Sequence, residues 1–196
     1  MHAQIEEFLH NVVNQEGLVQ HRGGLRVVEL GSAVLPGQPA SARAILGGLG
    51  AYLGVDWRAG PGVDVVGLAH EVPLGTPDVV ACCQVLEHDP HWRLTVDAAV
   101  RALLAPRGDG QARGGWLLLT WAGPGYPPHE LAVAPAGEDD EPAGTYYQPL
   151  SLGEVARQVV DACGTDPVTI RSRYERGTLD ALLLARVGPR LHQGTS

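Results

Sequence analysis

The sequence predicts a doubly wound α/β fold, in which a mostly parallel sheet is covered by helices on both faces. Five short apolar runs rich in Val and Leu, each bounded by Gly, Pro or Asp, are typical of buried strands: residues 25–30, 51–56, 63–67, 78–85 and 115–121. Helical patterns follow the first run at 40–49 and the fourth at 94–104. This alternation favours a parallel sheet, which binds ligands at the carboxyl ends of its strands.

Both ends of the chain add elements to this core. Apolar side chains at helical spacing predict an amphipathic helix over residues 3–15, and residues 151–164 predict another. Two strand-like runs follow, at 168–174 and 179–187. We expect them to form an antiparallel hairpin that completes a seven-stranded sheet. The second run, with three leucines in succession, should be buried on both faces beside the fifth strand.

Composition narrows the class of protein. A chain of 196 residues, 44% of them hydrophobic, is long enough for one domain with a sizeable core, and we find no internal repeat. The net charge of −8 argues against nucleic acid or an anionic membrane as a partner. Three cysteines, two of them adjacent in a strand, do not suggest a disulfide framework, and no apolar run reaches membrane-spanning length. These features predict a cytoplasmic protein.

A long segment at 123–149 has little periodicity. It holds six prolines and the acidic run 138–141. Loops of this length are commonly functional lids or disordered inserts, and the sequence leaves both interpretations open. As a lid, the segment would leave the sheet at its carboxyl edge and place Tyr126, Tyr146 and Tyr147 over a partly wet binding site.

Two acidic residues lie at the ends of neighbouring predicted strands. Glu29 and Gly31 close the first strand, and Asp56 closes the second, where its carboxylate could accept hydrogen bonds from a ribose diol. The alternative is that both acids only cap turns. The dinucleotide motif G-x-G-x-x-G does not follow Gly31, so the pair indicates a nucleoside ligand without a bound pyrophosphate.

The motifs VVELGS, YLGVDWRAGPGVDVVGLAHEVPL, DVVACCQVLEHDPHW, LLAPRG, GGWLLLTWAGPGYPPHE and TYYQPLS occur in this order between residues 26 and 151. Together they resemble the class I S-adenosylmethionine-dependent methyltransferases of bacteria and phages, of the type called methyltransferase domain 11-like. The resemblance implies a Rossmann-like sheet, S-adenosylmethionine as the methyl donor, and transfer of its methyl group to an acceptor.

The resemblance also implies which residues hold the donor. The methionine part would lie against Glu29, Gly31 and Ser32, the ribose on Asp56, and the adenine beside Trp57, Arg58, Ala69 and His70, with Gln84 and Val85 near the reacting methyl group. Two departures are visible. Leu68 stands where relatives carry an acid for the adenine amine, and Ser32-Ala33-Val34 replaces a glycine-rich turn.

Catalysis by a base is needed only when the acceptor starts protonated, and His88 and His129 are the candidates, because an imidazole titrates near neutral pH. The run His88-Asp89-Pro90-His91 could be a metal cluster, but Asp89 and Pro90 suit a helix start better, and we expect no metal. Arg171, Arg173 and Glu175 would share one face of a strand, either as a solvated edge or as a small anionic patch for an acceptor or a partner subunit.

Three function classes follow: an active methyltransferase, a degenerate methyltransferase-like binding or scaffold module, and another nucleotide-dependent enzyme. For the first, the charge and the lack of a second recognition domain favour a small-molecule, glycan or protein acceptor.

Overall fold

Seven strands form one mixed sheet at the centre of the protein. The computed structural model describes residues 3–34, 41–127, 146–175 and 177–189. The strands are β1 (Leu25–Leu30), β2 (Gly50–Asp56), β3 (Val65–Val66), β4 (Val79–Cys83), β5 (Gly115–Ala122), β6 (Val168–Tyr174) and β7 (Asp180–Val187). Their order is β3-β2-β1-β4-β5-β7-β6, and the first five are parallel.

The C-terminal hairpin is present as the sequence predicts. β7 runs antiparallel to both β5 and β6 and lies between them. Its Leu182 and Leu183 are at most 1% exposed, and Leu184 is 6% exposed, so the strand is buried on both faces. The predicted Rossmann-like sheet of seven strands, with an antiparallel C-terminal pair, is therefore confirmed.

Helices cover both faces of the sheet. They are α1 (Ala3–Gln15), α2 (Arg43–Leu46), α3 (Trp92–Leu104) and α4 (Leu152–Cys163), with short 3-10 turns at Leu18–His21, Gly47–Leu49 and Leu86–His88. One apolar cluster joins α3 and α4 to the sheet, and a second joins α1 and α2 to the opposite face. β5 is buried along its whole length because it lies between these two layers.

The connections on the β2 side of the sheet are loops. Residues 57–64, between β2 and β3, and residues 67–78, between β3 and β4, contain turns but no helix. The helix predicted at 40–49 is also shorter in the structure, with α2 and a 3-10 turn in its place over the described part. Loops therefore border the carboxyl ends of β2 and β3.

A capping box begins α4. Ser151 Oγ accepts from the amide of Glu154 at 3.2 Å, and the Glu154 carboxylate accepts from the amide of Ser151 at 3.0 Å. These bonds satisfy two backbone donors at the helix start. The Ser151 hydroxyl also donates to the Glu154 carboxylate at 2.6 Å, and this bond, with the one from the Ser151 amide, holds the pKa of Glu154 below its usual range.

We expect Ser151→Ala to lower the free energy of unfolding by about 1 kcal/mol, the usual cost of losing an N-cap. Urea denaturation would measure it, with Ser172→Ala on the exposed part of β6 as the control. An equal loss in the two variants would show that the cap contributes nothing of its own.

None of the helices in the described ranges has the length and apolar character needed to cross a membrane.

Candidate functional site

The turn after β1 brings the backbone of Gly31 against the turn after β4. Gly31 has φ +80°, and its amide donates to the Val55 carbonyl at 2.8 Å. A Cβ on Gly31 would lie 2.1 Å from Val85 Cγ2. Only glycine fits here, because the conformation is left-handed and the space beside it is filled.

Asp56 ends β2 with its carboxylate inside the same edge of the sheet. The side chain is 8% exposed, and its oxygens accept from the amide of Ala33 at 3.0 Å and from the amide of Arg58 at 3.2 Å. Each carboxylate oxygen has a second lone pair. Asp56 therefore fixes the turns after β1 and β2 and keeps acceptor capacity for a ligand hydroxyl.

An open cleft lies at the carboxyl ends of β1, β2 and β4. Its lining is mainly apolar, with carboxylate and imidazole groups at a few points. The lining residues are Gly31, Val55, Asp56, Trp57, Gly67, Leu68, Ala69, His70, Val85, His88, Asp89 and Pro90. A concave, mostly apolar site with a few convergent polar groups is typical of a small-molecule or cofactor site.

Gln84 follows β4 in a backbone conformation that few side chains adopt. Its φ is +58°, its amide donates to the Thr120 carbonyl at 2.7 Å, and its buried Nε2 has no hydrogen-bond partner among the described residues. A left-handed non-glycine residue and a buried unpaired amide both cost free energy. Such strain is commonly found at functional sites, which is consistent with the site at this strand end.

His88 borders the cleft on the β4 side. Its Nδ1 lies 3.4 Å from the Tyr146 carbonyl oxygen, and its ring centroid is 5.3 Å from that of Tyr147. If Nδ1 carries the proton and donates to Tyr146, Nε2 is the basic nitrogen of the ring. His88 thus joins the cleft to the segment that returns from the loop at 123–149.

The sequence predicts Asp89 as the N-cap of α3 and Pro90 as its first residue, but the helix begins two residues later, with His91 as the N-cap. Asp89 lies just before this start and also lines the cleft. Its carboxylate accepts from the amide of His91 at 2.7 Å and from the Thr95 hydroxyl at 2.6 Å. The His91 ring meets the edge of the His70 ring at a centroid distance of 5.4 Å. Within the described ranges, His, Cys, Asp and Glu side chains form no group suited to a metal ion.

Glu29 points away from the cleft, toward α2. Its carboxylate accepts from the amide of Ala42 and from the Tyr52 hydroxyl, both at 2.8 Å. Burial raises the pKa of Glu29, and the bonds from Tyr52 and Ala42 oppose that rise. Arg43 also stacks over the Tyr52 ring, 4.7 Å from the centroid. Because it bonds to both Ala42 and Tyr52, Glu29 anchors the start of α2 to β1 and β2.

Two other predicted donor ligands also lie outside the cleft lining. Ser32 is fully buried and packs against Gly54. A Cβ on Gly54 would lie only 2.7 Å from the Ser32 Oγ. The Arg58 guanidinium lies over the Trp57 ring, 5.2 Å from the centroid, and so borders the cleft only through that ring.

The structure brings together seven of the predicted site residues and leaves four elsewhere. Those in the cleft are Gly31, Asp56, Trp57, Ala69, His70, Val85 and His88, whereas Glu29, Ser32, Arg58 and Gln84 do not line it. His129 lies outside the described residues. The role of each of these residues toward a donor stays a prediction.

Sequence reasoning did not assign Val55, Gly67, Asp89 or Pro90 to the site, although each lines the cleft. Val55 and Gly67 stand at strand ends, a signal that could have found them. Asp89 and Pro90 were interpreted only as a helix start, and this pattern gives no sign that they also line the cleft. The arginine pair on β6 is engaged by acids, Arg171 with Glu16 and Arg173 with Glu175.

Comparisons with known proteins agree with this architecture. No protein-family model and no curated protein matches the sequence. An S-adenosylmethionine-dependent methyltransferase from Clostridium acetobutylicum has a similar structure, with 10% identity, a TM-score of 0.56, and 93% of this chain and 92% of that chain covered.

Two further solved structures are similar to this chain over most of its length. The N-terminal domain of EvdMO1, solved in the presence of SAH and D-fucose, matches with 15% identity and a TM-score of 0.53, over 96% of this chain and 84% of its own. The cyclase SpnF matches with 14% identity and a TM-score of 0.52, over 90% of this chain and 80% of its own. The chain therefore has the fold of the class I S-adenosylmethionine-dependent methyltransferases.

Proposed function

We propose that this protein is an S-adenosylmethionine-dependent methyltransferase that acts on a small-molecule, glycan or protein acceptor. One observation carries the proposal: Asp56, Gly31, Trp57, His70 and His88 meet in one cleft at the carboxyl edge of a methyltransferase-type sheet. A ligand of this type of sheet binds at that edge. A structural neighbour solved in the presence of SAH has the same fold, which supports the choice of cofactor.

The residues of the cleft suit the donor. Asp56 has lone pairs for the ribose hydroxyls, and Gly31 lets the donor approach the backbone without a Cβ in the way. Leu68, Ala69 and the Trp57 ring offer apolar surface for the base, and His70 supplies the polar edge that the replaced acid would have given. The bound donor would supply a methyl group activated by the sulfonium charge.

On the acceptor side, the chain would orient the nucleophile and remove its proton where needed. His88 lines the cleft, and in the tautomer that donates from Nδ1 to the Tyr146 carbonyl its Nε2 is the basic group that we assign to this step. Orientation is the larger part of catalysis in an in-line displacement, because the reacting atoms must be held close and aligned. The net charge of −8 does not favour nucleic acid as the acceptor.

A second function is favoured by Glu29 and the turn after β1. Glu29 serves α2, and Ser32 packs against β2, so the methionine side of the cleft has fewer polar groups than the resemblance implies. A binding or scaffold module without turnover would tolerate this. The same fold occurs in the [4+2]-cyclase SpnF, so the fold does not by itself imply methyl transfer.

Donor binding and turnover separate these functions. Calorimetry should detect binding of S-adenosylhomocysteine, and cell extracts supplied with labelled donor should yield labelled product and S-adenosylhomocysteine. Binding without turnover in such extracts would favour the scaffold module. No binding of either cofactor form would contradict both functions.

We expect Asp56→Ala to weaken binding of S-adenosylhomocysteine about 10- to 150-fold, because a hydrogen bond to a charged group contributes about 1.5–3 kcal/mol. Calorimetry measures the change directly. Asp109→Ala is the matched control, since this carboxylate pairs with Arg113 in an exposed loop before β5, at the amino edge of the sheet. Unchanged affinity in a folded Asp56→Ala protein would remove Asp56 from the site.

A further inference from the structure

Glu87 is a buried carboxyl group next to His88 that the proposed function does not use. It lies in the 3-10 turn after β4 and is fully buried. Its Oε1 accepts from the amide of Ala122 at 3.1 Å, at the end of β5. Its Oε2 is buried and has no hydrogen-bond partner among the described residues.

The backbone of Glu87 holds a second segment. Residues 146–150, which we call the return segment, lead from the loop at 123–149 to α4. The Gln148 amide donates to the Glu87 carbonyl at 2.8 Å, and the Leu150 amide donates to the Ala122 carbonyl at 3.2 Å. Trp121 Nε1 donates to the Leu150 carbonyl at 2.8 Å.

The return segment reaches the cleft at its first residues. The Tyr146 carbonyl lies 3.4 Å from His88 Nδ1, and the Tyr147 ring is tilted against the His88 ring. The 3-10 turn therefore holds two neighbouring residues with different contacts. His88 lines the cleft, and Glu87 bonds the turn to β5 and to the return segment.

A second acid lies near Glu87. Asp180, at the start of β7, is paired in register with Ala122 and is fully buried. Burial, with a further contribution from the charge of Asp180, raises the pKa of Glu87 to about 8. Two carboxylates in one buried place repel each other, so one of them is favoured in its neutral form.

We propose that Glu87 is a positioning residue: its carboxyl group holds the end of β5, and its backbone carbonyl holds the return segment, against the turn that carries His88. Ionisation of Glu87 would add a buried charge near that of Asp180, and this repulsion would loosen the wall of the cleft on the acceptor side. The proposal rests on the proposed function only in taking the cleft as the donor site. The titratable groups that act on Glu87 or sense its charge are Asp180 from β7, Cys82 and Cys83 from β4, and Tyr126 and Tyr147 from the two ends of the loop.

The first test compares Glu87→Gln, which stays neutral and keeps an oxygen for the Ala122 amide, with Glu87→Ala, which does not. At pH 7, hydrogen exchange at Ala122, Gln148 and Leu150 should match the wild type in the Gln variant. In the Ala variant, exchange at these amides should be about three- to tenfold faster, which is the change expected from the loss of one hydrogen bond. Equally fast exchange in both variants would contradict the proposal.

The second test measures binding of S-adenosylhomocysteine as a function of pH. A side chain whose charge does not affect the cleft would leave this dependence unchanged. Between pH 7 and pH 9 the wild type should bind S-adenosylhomocysteine about three- to tenfold more weakly as Glu87 ionises, whereas Glu87→Gln should show a flatter profile. Identical profiles would overturn the proposal. Asp78→Asn is the control, because this buried acid holds Arg26 and Arg107 at the opposite edge of the sheet.

A third measurement separates the two proposals from each other. The folded protein binds the Glu87 proton more tightly than the unfolded chain does, since the pKa is about 8 against an ordinary 4.5. This stabilisation is complete below pH 4.5 and is lost as the pH rises to about 8. The melting temperature of the wild type should therefore fall relative to Glu87→Gln over this interval. If S-adenosylhomocysteine does not bind at all, the proposed function fails, while exchange and melting still decide the role of Glu87.

Discussion

His88→Ala should lower methyl transfer about 10²–10⁴-fold, the usual contribution of a positioned general base. The expectation follows from the place of His88 between the cleft and Tyr147, with Nδ1 facing the Tyr146 carbonyl. In the tautomer that donates from Nδ1 to that carbonyl, Nε2 is the nitrogen to which we assign the acceptor proton. Binding of S-adenosylhomocysteine should change much less than turnover, because His88 is only one of several lining residues.

The measurement is transfer of label from methyl-labelled donor into product in a cell extract, at equal concentrations of wild type and variant. His10→Ala is the matched control, since His10 is an exposed residue of α1, on the other face of the sheet. His88→Gln tests the chemistry further, because it keeps a polar side chain without a base. Turnover of His88→Ala within about twofold of the wild type, below the effect of any positioned base, would exclude His88 as the base.

Gly31→Ala should cost about 2–5 kcal/mol of unfolding free energy and should also weaken donor binding. A left-handed alanine costs about 1–2 kcal/mol, and overpacking against a filled neighbour costs about 1–3 kcal/mol. The new Cβ would stand 2.1 Å from Val85 Cγ2, and both residues line the cleft. Urea denaturation and calorimetry with S-adenosylhomocysteine would measure the two losses.

The double variant Gly31→Ala with Val85→Ala identifies the cause. Removing Val85 Cγ2 should remove the part of the free-energy loss that is due to overpacking, but not the part that is due to the left-handed backbone. The effects of the two substitutions should therefore be non-additive. Gly60→Ala is the control, because a Cβ there would make only an ordinary contact of 3.9 Å with Ala33. Strict additivity would show that Val85 does not limit the space at Gly31.

Local patterns in the sequence were sufficient for much of the fold. α1 has the predicted bounds, and so does β1, because an amphipathic helix and a bounded apolar run are both signals over neighbouring residues. Two strand-like runs predict the hairpin of β6 and β7, and Leu182, Leu183 and Leu184 predict that β7 is buried on both faces. The prediction of helix over 40–49 was too long, since the α-helix covers only Arg43–Leu46 and Gly47–Leu49 form a 3-10 turn that leads into β2.

The sequence by itself determined the strands, the antiparallel place of β7 beside β5, and the carboxyl edge at which Gly31 and Asp56 lie, because strands and their ends follow from periodicity and a parallel sheet binds ligands at that edge. The place of His88 at this edge came from the family resemblance. Only the tertiary structure decided where the side chains at that edge point. Glu29 turns to Tyr52, which lies 23 residues away in the chain, and Glu87 finds its partner in Ala122, 35 residues away. Such directions depend on contacts between distant residues, and no local pattern encodes them.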